Sequence, residues 1–206
     1  MIRFVVLLLL VPVLAWAGVE ASDEAVLLVA HPRMDDPNFS QTVVLVAFPQ
    51  DSGPMGVVLN RPIGATLGEL FEEDEAVRGR QDMVHAGGPV QPDGLLFVFR
   101  APEHPVKALP VIDDIYLSAD GKLFDVLVRK TEEAASQRYY AGYAGWAEGQ
   151  LDAEVERGDW YVLPMDVDVL YAMPEESMWE TLLTRATSKF AASARTMATA
   201  HRSHPR

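Results

Sequence analysis

The chain has 206 residues, of which 49% are hydrophobic and 23% charged, and this balance fits one globular domain with a single core. It contains no cysteine, which excludes disulfides, thiol nucleophiles and thiolate metal sites. Residues 18–180 include 11 basic and 30 acidic residues, a net charge of −19, whereas the five charged residues after Glu180 are all basic. Because such an acidic body repels phosphate backbones, nucleic acid is not an expected partner.

The first 17 residues have the three parts of a secretory signal. Arg3 is followed by an apolar run over residues 4–14 and then by Ala15-Trp16-Ala17, the small-x-small pattern that a signal peptidase cleaves. A membrane-spanning helix needs about 20 apolar residues, so this run is too short for an anchor. We therefore expect cleavage near Ala17 and a periplasmic or secreted protein without a transmembrane segment. The alternative is a start codon assigned too far upstream, which would leave the protein in the cytoplasm.

Six apolar segments of strand length lie within residues 25–118, and turn-forming residues separate them. They are residues 25–30, 42–48, 55–59, 83–86, 95–100 and 115–118. The second and third are joined by a short loop that contains Gly53 and Pro54, which predicts an antiparallel hairpin. Their nearly continuous hydrophobicity predicts burial on both faces, so we expect helices to cover this sheet.

Helix signals fall between and after these strands. Thr66 and Glu69 form the pattern of a capping box at the start of a first helix. Residues 119–130 and 148–157 suit helices, and the second ends at Gly158, a residue suited to the left-handed position after a helix. The pattern also predicts strands at 137–143 and 160–163, a helical turn at 166–171, and a last helix from Pro174 onward.

The last helix carries Met178, Leu182 and Leu183 at helical spacing, and we expect these side chains to face the core. The basic segment 188–206 is rich in Ala, Ser and Thr, which predicts a frayed or disordered tail after a domain that spans residues 18–187. Strands mixed with helices, at least one hairpin and no regular βαβ period predict an α+β fold rather than a doubly wound sheet.

Four segments together resemble one family. They are residues 34–39 ahead of the strand 42–48, residues 55–62 (MGVVLNRP) with 67–70 (LGEL), residues 86–90 (AGGPV), and residues 142–160, which begin GYAGW. In this order and spacing the chain is similar to the YqgE/AlgH family of bacterial proteins over about residues 25–185. The resemblance implies a single α+β domain with a curved, partly barrel-like, mixed or antiparallel sheet and peripheral helices.

The resemblance implies no mechanism, although some family members are labelled transcriptional regulators. Three features of this chain depart from the family pattern. They are the leader, the basic tail, and the opening His31-Pro32-Arg33 in place of an apolar residue followed by Pro and Ser.

Asp36 and Asn38, with Asp35 and His31 nearby, are the first candidate ligand-binding residues. Their oxygen atoms are ligands that a hard cation prefers. The alternative is a turn, because Asp and Asn cap and turn the backbone and Pro37 can open a helical turn. The regular ligand spacing of a calcium loop is missing, so the sequence predicts no metal site here.

Two further pairs are candidates for binding an anion. Asn60 and Arg61 follow a buried strand, where a fixed guanidinium can bind a carboxylate or phosphate. The alternative is that Arg61 pairs with one of the many acidic side chains and that Asn60 satisfies local backbone groups. Gly87 and Gly88 can present backbone N–H groups to an anion, but they lack the lysine and the helix of a phosphate loop. Close backbone packing is the alternative for these glycines.

His85, beside the double glycine, is the histidine that we would test as a general base. The alternative is an imidazole that is simply packed and hydrogen-bonded. Asp113 and Asp114 suggest an acid/base pair or, because adjacent side chains point in different directions, a turn.

A group of aromatic residues lies near Gly142 and Gly145. Aromatics interleaved with glycine form either a stacking or partner-binding surface or part of the core. Without matching basic residues, nucleic acid is not the expected target of such a surface. The group comprises Tyr139, Tyr140, Tyr143, Trp146 and Trp160.

Three function classes follow from these patterns. The first is a non-enzymatic binding or accessory protein of the cell envelope, with an envelope protein as its partner, because the sequence shows no coherent catalytic or ligand set and identifies no cofactor. The second is a metal-dependent or acid/base enzyme whose candidate residues, His31, Asp35, Asp36 and His85, converge on the loop near Asn60 and Arg61. The third, transcriptional regulation, rests on the family label alone, and an exported acidic protein does not meet chromosomal DNA.

Overall fold

The computed structural model describes residues 25–129 and 136–202, with side chains up to residue 189, so the leader predicted for residues 1–17 lies outside the described residues. The strands are β1 (Val26–Ala30), β2 (Val43–Ala47), β3 (Met55–Val58), β4 (Pro62–Thr66), β5 (Met83–Ala86), β6 (Val90–Arg100), β7 (Leu109–Ile112), β8 (Ile115–Ser118), β9 (Arg138–Gly145) and β10 (Trp160–Pro164). The helices are α1 (Leu67–Leu70), α2 (Gly121–Leu127), α3 (Gln150–Arg157), α4 (Val167–Tyr171) and α5 (Glu175–Arg202).

The ten strands of the described residues form one curled sheet. Its main path runs β10-β1-β2-β3-β9-β6-β8-β7, and β4 and β5 join it through β9. All pairs are antiparallel except β5 with β9. The far end of the sheet returns towards β1, because the backbone N–H of Ala25 donates to the carbonyl of Val111 at 3.0 Å. The chain is therefore a single-domain α+β fold with a half-barrel sheet, as the sequence predicts.

The predicted hairpin is present, with Ala47 opposite Met55 across β2 and β3. Both β1 and β2 are buried along their whole length, which is the two-sided burial that their continuous hydrophobicity predicts. One face of these strands packs against α4 and α5, including Val169 and Leu182. The opposite face packs against α3 through Leu151. The expected helical cover is therefore confirmed.

The helix ends follow the sequence signals closely. The Thr66 hydroxyl accepts from the Glu69 backbone, and the Glu69 carboxylate accepts from the Thr66 backbone, so the predicted capping box is present. The Asp120 side chain caps α2, which is shorter than the predicted 119–130. Gly158 ends α3 in the left-handed region, at φ +79°.

The structure differs from the predicted strands in three places: two strands were not predicted, and one begins earlier than expected. Residues 62–66 and 109–112 form strands β4 and β7, which the sequence does not predict because Pro62, Gly64 and Pro110 are weak strand residues. Strand β6 begins at Val90, five residues before the apolar run that marks it, and a register shift before Leu95 accommodates the turn formers in between.

The long helix α5 covers the open side of the curl. Met178 and Leu182 are buried at 3% and 1% exposure, as predicted, and the Trp179 indole N–H donates to the carbonyl of Ala30 at 2.8 Å. The helix continues to Arg202, beyond Ser188, where the sequence predicts the end of regular structure; five alanines between residues 191 and 200 favour this extension. No helix in the described ranges has the length and apolar character that crossing a membrane requires.

Candidate functional site

A cavity of about 40 Å³ lies between the sheet and the last two helices, and we call it the His85 cavity. This volume has room for a few water-sized groups. Strand β5, strand β9 and the start of α5 supply most of its polar side chains. Its polar lining consists of His85, Arg138, Tyr140, Tyr171 and Glu175, and its apolar lining consists of Leu59, Val169, Leu170, Met173 and Met178.

His85 is buried at 2% exposure, and its Nε2 lies 2.7 Å from Oε1 of Glu175. Since a carboxylate only accepts, Nε2 carries the proton of this hydrogen bond. The opposite ring nitrogen, Nδ1, is enclosed and has no hydrogen-bond partner in the described part of the chain. One ring nitrogen is therefore engaged by Glu175, and the other is buried without a protein partner.

The position of Glu175 explains how its carboxylate is tolerated beside a buried imidazole. Glu175 is the first residue of α5, directly after Pro174, and a negative charge is favourable at a helix N-terminus. Its side chain is 34% exposed, so the cavity reaches the surface at this residue. This hydrogen bond therefore links buried strand β5 to the start of the last helix.

Arg138, Tyr140 and Tyr171 form the other polar side of the cavity. The Arg138 guanidinium lies 5.1 Å from the centroid of the Tyr171 ring, and the Arg100 guanidinium lies 5.4 Å from the same centroid. Burial raises the pKa of Tyr171 to about 12, and burial also raises the pKa of Tyr140, with Glu175 adding to this effect and Arg138 opposing it. Both hydroxyls are therefore protonated at neutral pH, and the Tyr171 hydroxyl donates to the carbonyl of Ser136 at 3.0 Å.

The structure places Asp36, Asn38, Asn60 and Arg61 together at another location, where β1, β2 and β4 begin or end. The Asp36 carboxylate accepts from the Asn38 backbone, which is the predicted turn. The Arg61 guanidinium donates to the carbonyls of Asn38 at 2.6 Å and Ser40 at 2.9 Å, so its partners are backbone oxygens rather than carboxylates. Asn60 accepts from the Val43 backbone and donates to the Gln41 carbonyl. These contacts hold the β1–β2 loop in place.

His31 belongs to the same loop, and its Nδ1 accepts from the backbone of Arg33 at 3.0 Å. His85 instead pairs with Glu175, so the structure does not bring the residues of the enzyme hypothesis into one constellation. In residues 25–129 and 136–189, no three His, Asp or Glu side chains are grouped closely enough to hold a metal ion.

Gly87 and Gly88 lie where the backbone after β5 passes β9. A Cβ atom at Gly87 would lie 2.2 Å from the carbonyl oxygen of Gly142, and one at Gly88 would lie 2.2 Å from the carbonyl carbon of Tyr143. The Gly87 N–H donates to the Ala141 carbonyl at 2.7 Å. Close backbone packing therefore accounts for the double glycine, and the Gly87 N–H bonds to strand β9 rather than to an anion.

The predicted aromatic group belongs to the interior. Tyr139, Tyr140, Trp146 and Trp160 are at most 7% exposed, and Tyr143 is half-buried. The indole N–H groups of both tryptophans donate to Oε2 of Glu154, each at 2.9 Å. Core packing is therefore the correct interpretation of this group.

Asp113 and Asp114 form the two-residue turn between β7 and β8. Asp113 has a positive φ of 50°, and Asp114 pairs with Arg100. The turn interpretation is therefore correct for this pair.

Sequence reasoning identified His85 but missed Glu175, Arg138 and Tyr171. Glu175 is 90 residues from His85 along the chain. In the sequence it resembles any acidic residue in the first turn of a helix, where a negative charge is common. A weak signal did exist, because His85 lies near the end of one apolar segment and Arg138 begins another that contains Tyr140. Only the parallel pairing that sets His85 opposite Tyr140 brings them together.

The comparisons with known proteins all identify the same family. The family model described as AlgH-like, DUF179, matches residues 27–191. A UPF0301 protein of Anaeromyxobacter sp. (strain K) is 36% identical over 170 residues, which is 77% of this chain and 85% of that protein. A UPF0301 protein of Thermobifida fusca is 35% identical over 178 residues, 77% of this chain and 84% of that protein.

Two solved structures share the fold. The solution structure of the AlgH protein from Pseudomonas aeruginosa has a TM-score of 0.65 and 27% identity, and it covers 81% of this chain and 89% of that one. The crystal structure of protein DIP2367 from Corynebacterium diphtheriae has a TM-score of 0.62 at 21% identity, covering 79% of this chain and 86% of that one. From its sequence, its fold and these relatives, this chain belongs to the AlgH-like family.

Proposed function

We propose that this chain is a non-enzymatic binding protein, exported to the cell envelope, that holds a small polar ligand in the His85 cavity. The observation that carries the proposal is the hydrogen bond of 2.7 Å between buried His85 and the partly exposed Glu175, on the wall of a cavity that Arg138 also lines. A concave site with an apolar wall and a few convergent polar side chains is the usual form of a small-ligand site.

The geometry of His85 favours binding over catalysis. Nε2 is engaged by Glu175, and Nδ1 is enclosed by protein. A general base needs a free nitrogen within hydrogen-bond reach of its substrate, so this imidazole is better suited to fixing Glu175 than to moving a proton. The other candidate residues, such as Arg61 and Asn60, already bind backbone groups of the neighbouring loop.

Export is the second part of the proposal, and it rests on the signal-like residues 1–17. An acidic protein in the envelope would meet proteins and small solutes rather than chromosomal DNA, so an envelope protein is the proposed macromolecular partner. Expression of the full chain in a Gram-negative host tests this part. We expect mass spectrometry to find a chain beginning at Gly18 in the periplasmic fraction. A chain that retains residues 1–17 and fractionates with a cytoplasmic marker would refute export.

The binding part is tested by a thermal-shift panel of divalent metals, inorganic anions, nucleotides and small metabolites on the purified protein. A ligand at 100 times its Kd adds about 2.7 kcal/mol of stability, which raises the Tm of a chain of this size by about 5–10 °C. Met173→Trp should fill the cavity and abolish the shift. Ala172→Trp places the same ring on the neighbouring exposed residue and should leave the shift unchanged. A ligand response that survives Met173→Trp would place the binding site elsewhere.

A further inference from the structure

We propose that helix α5 pairs side by side and antiparallel with α5 of a second copy of this chain, so that the acidic start of each helix lies along the basic end of the other. The inference rests on the order of the charges along α5. It goes beyond the proposed binding function and does not depend on it, because Glu176 and Glu180, which it uses, do not line the His85 cavity.

The charges of α5 are separated by sign along the helix axis. Its acidic residues all fall within residues 175–180, and its basic residues all fall within residues 185–202. The acidic residues are Glu175, Glu176 and Glu180, and the basic residues are Arg185, Lys189, Arg195 and Arg202. The helix dipole favours acids in the first turn and bases in the last turn, but its effect fades beyond those turns. It therefore does not explain the charges in between.

The spacing of these charges gives α5 none of the ion pairs that stabilise a single helix. Such pairs join residues three or four positions apart, and in α5 no acidic residue lies at that distance from a basic one. Glu176 and Glu180 are four positions apart and are both exposed, so two like charges are neighbours on the helix surface. A positive partner at this surface would therefore be favourable.

The length of α5 prevents its two ends from supplying that partner to each other. At 1.5 Å per residue, Glu176 and Arg202 are about 39 Å apart along the helix axis. At physiological salt the Debye length is about 8 Å, so neither end is influenced by the charge of the other. The acidic start and the basic end can therefore meet only between two molecules.

An antiparallel second copy brings the opposite charges together at both ends. With a twofold axis near residue 188, Glu176 comes opposite Arg202 and Glu180 comes opposite Arg195, to within one helical turn. Twofold symmetry repeats each of these contacts on the other helix. One arrangement therefore uses the charges of both helices, and it closes as a dimer rather than growing into a chain of copies.

The outer face of α5 is the face that a second copy would contact. Met178, Leu182 and Ala186 are buried on the inner face, whereas Glu176 and Glu180 are exposed. The two domains would then lie on opposite sides of the helix pair. A contact made mainly by charged and polar groups is typical of a weak, transient interface, so we expect a weak dimer that salt dissociates.

An anionic lipid surface is the other partner that basic residues favour. It fits the charge order less well, because it would attract only the basic end of α5. The acidic start of the helix and the net charge of −19 on residues 18–180 would both be repelled by it. A second copy carries the complementary charge for each end.

Sedimentation velocity over a concentration series of the protein expressed from the full chain tests the inference. We expect a monomer–dimer equilibrium whose Kd rises at least about fivefold when NaCl is raised from about 50 mM to about 500 mM. A protein that stays monomeric up to about 0.5 mM would refute the dimer. A dimer that salt does not weaken would refute the charge argument. Cosedimentation of a monomeric protein with phosphatidylglycerol vesicles would identify lipid as the partner instead.

Two charge-reversed variants give a sharper test. Glu176→Arg with Glu180→Arg makes the start of α5 basic, and Arg195→Glu with Arg202→Glu makes its end acidic. Each variant alone should dimerise at least about tenfold more weakly than the unaltered protein, because like charges then face each other at both ends. An equimolar mixture should form a heterodimer, because both ends are attractive again. A mixture that associates no better than either variant alone would overturn the inference.

Glu72→Arg with Glu73→Arg is the matched control for the total charge. Both residues are exposed and lie outside α5, and this variant changes the net charge as much as the reversal at Glu176 and Glu180 does. It should leave the Kd of the dimer within about twofold of the original value. Circular dichroism checks that each variant keeps its helix content. An equal loss of dimer in this control would show that net charge, and not the order of charges in α5, governs association.

Discussion

Glu154→Ala removes a carboxylate that serves two tryptophans at once. Oε2 of Glu154 accepts from the indole N–H of Trp146 and of Trp160, both at 2.9 Å, and these residues are only 7% and 4% exposed. A buried donor that loses its partner costs about 1–3 kcal/mol. Two such donors, partly rescued by water at the edge of α3, should lower the free energy of unfolding by about 3 kcal/mol, a fall in Tm of about 6–12 °C.

Urea unfolding followed by tryptophan fluorescence measures this loss. Glu154→Gln keeps an oxygen acceptor but loses the charge, and charge-assisted hydrogen bonds are roughly twice as strong as neutral ones. This variant should therefore lose about half as much stability as Glu154→Ala. Glu156→Ala, on an exposed position of the same helix, is the matched control and should change stability by less than about 0.5 kcal/mol.

The result that refutes this reasoning is a loss in Glu154→Ala no larger than that in Glu156→Ala. Water would then satisfy both indoles equally well, and helix α3 would be held to the sheet by apolar contacts alone, such as those of Leu151.

Two further predictions concern the backbone and the buried phenols. Gly142→Ala should destabilise the protein by about 1–3 kcal/mol more than Gly149→Ala in the same urea assay, because both have φ near +70° but only a Cβ at Gly142 meets a backbone oxygen, at 2.5 Å; equal losses would refute the clash. The folded-state pKa values of Tyr139 and Tyr171 are raised to about 12, so their contribution to stability is complete below pH 10 and is lost as pH rises from 10 to 12. Tyrosinate absorbance should show both phenols titrating late, and ionisation of all tyrosines near pH 10 in the folded protein would contradict this.

The central strands of the core could be predicted from the sequence because each is a continuous apolar segment. Residues 25–30 and 42–48 lack polar interruptions, and the structure buries β1 and β2 on both faces. The missed strands β4 and β7 contain proline or positive-φ glycine and owe their extended form to a neighbouring strand rather than to their own composition. Pairing partners are a tertiary property, so local patterns cannot reveal them.

The residues of the candidate site were harder to predict than the strands, because they too come together only through tertiary packing. His85 could be chosen from sequence because it follows an apolar segment and precedes a double glycine. Its partner Glu175 could not be chosen, because many acids occupy helix starts and only the packing of α5 across the sheet selects this one. The backbone partners of Arg61 were missed for a related reason. Every residue has a carbonyl oxygen, so the sequence cannot show which one binds an arginine, whereas the 30 acidic residues of the chain are evident candidates.

The position of β1 has a consequence for the time at which the protein can fold. Strand β1 lies between β2 and β10, so its second partner is synthesised more than 130 residues after it. At 5–20 residues per second, this delay is about 7–27 s of translation. During that time one edge of the apolar strand β1 stays unpaired, and non-local pairing of this kind also forms slowly. This strand order therefore leaves the sheet around β1 incomplete until residues 160–164 have been made.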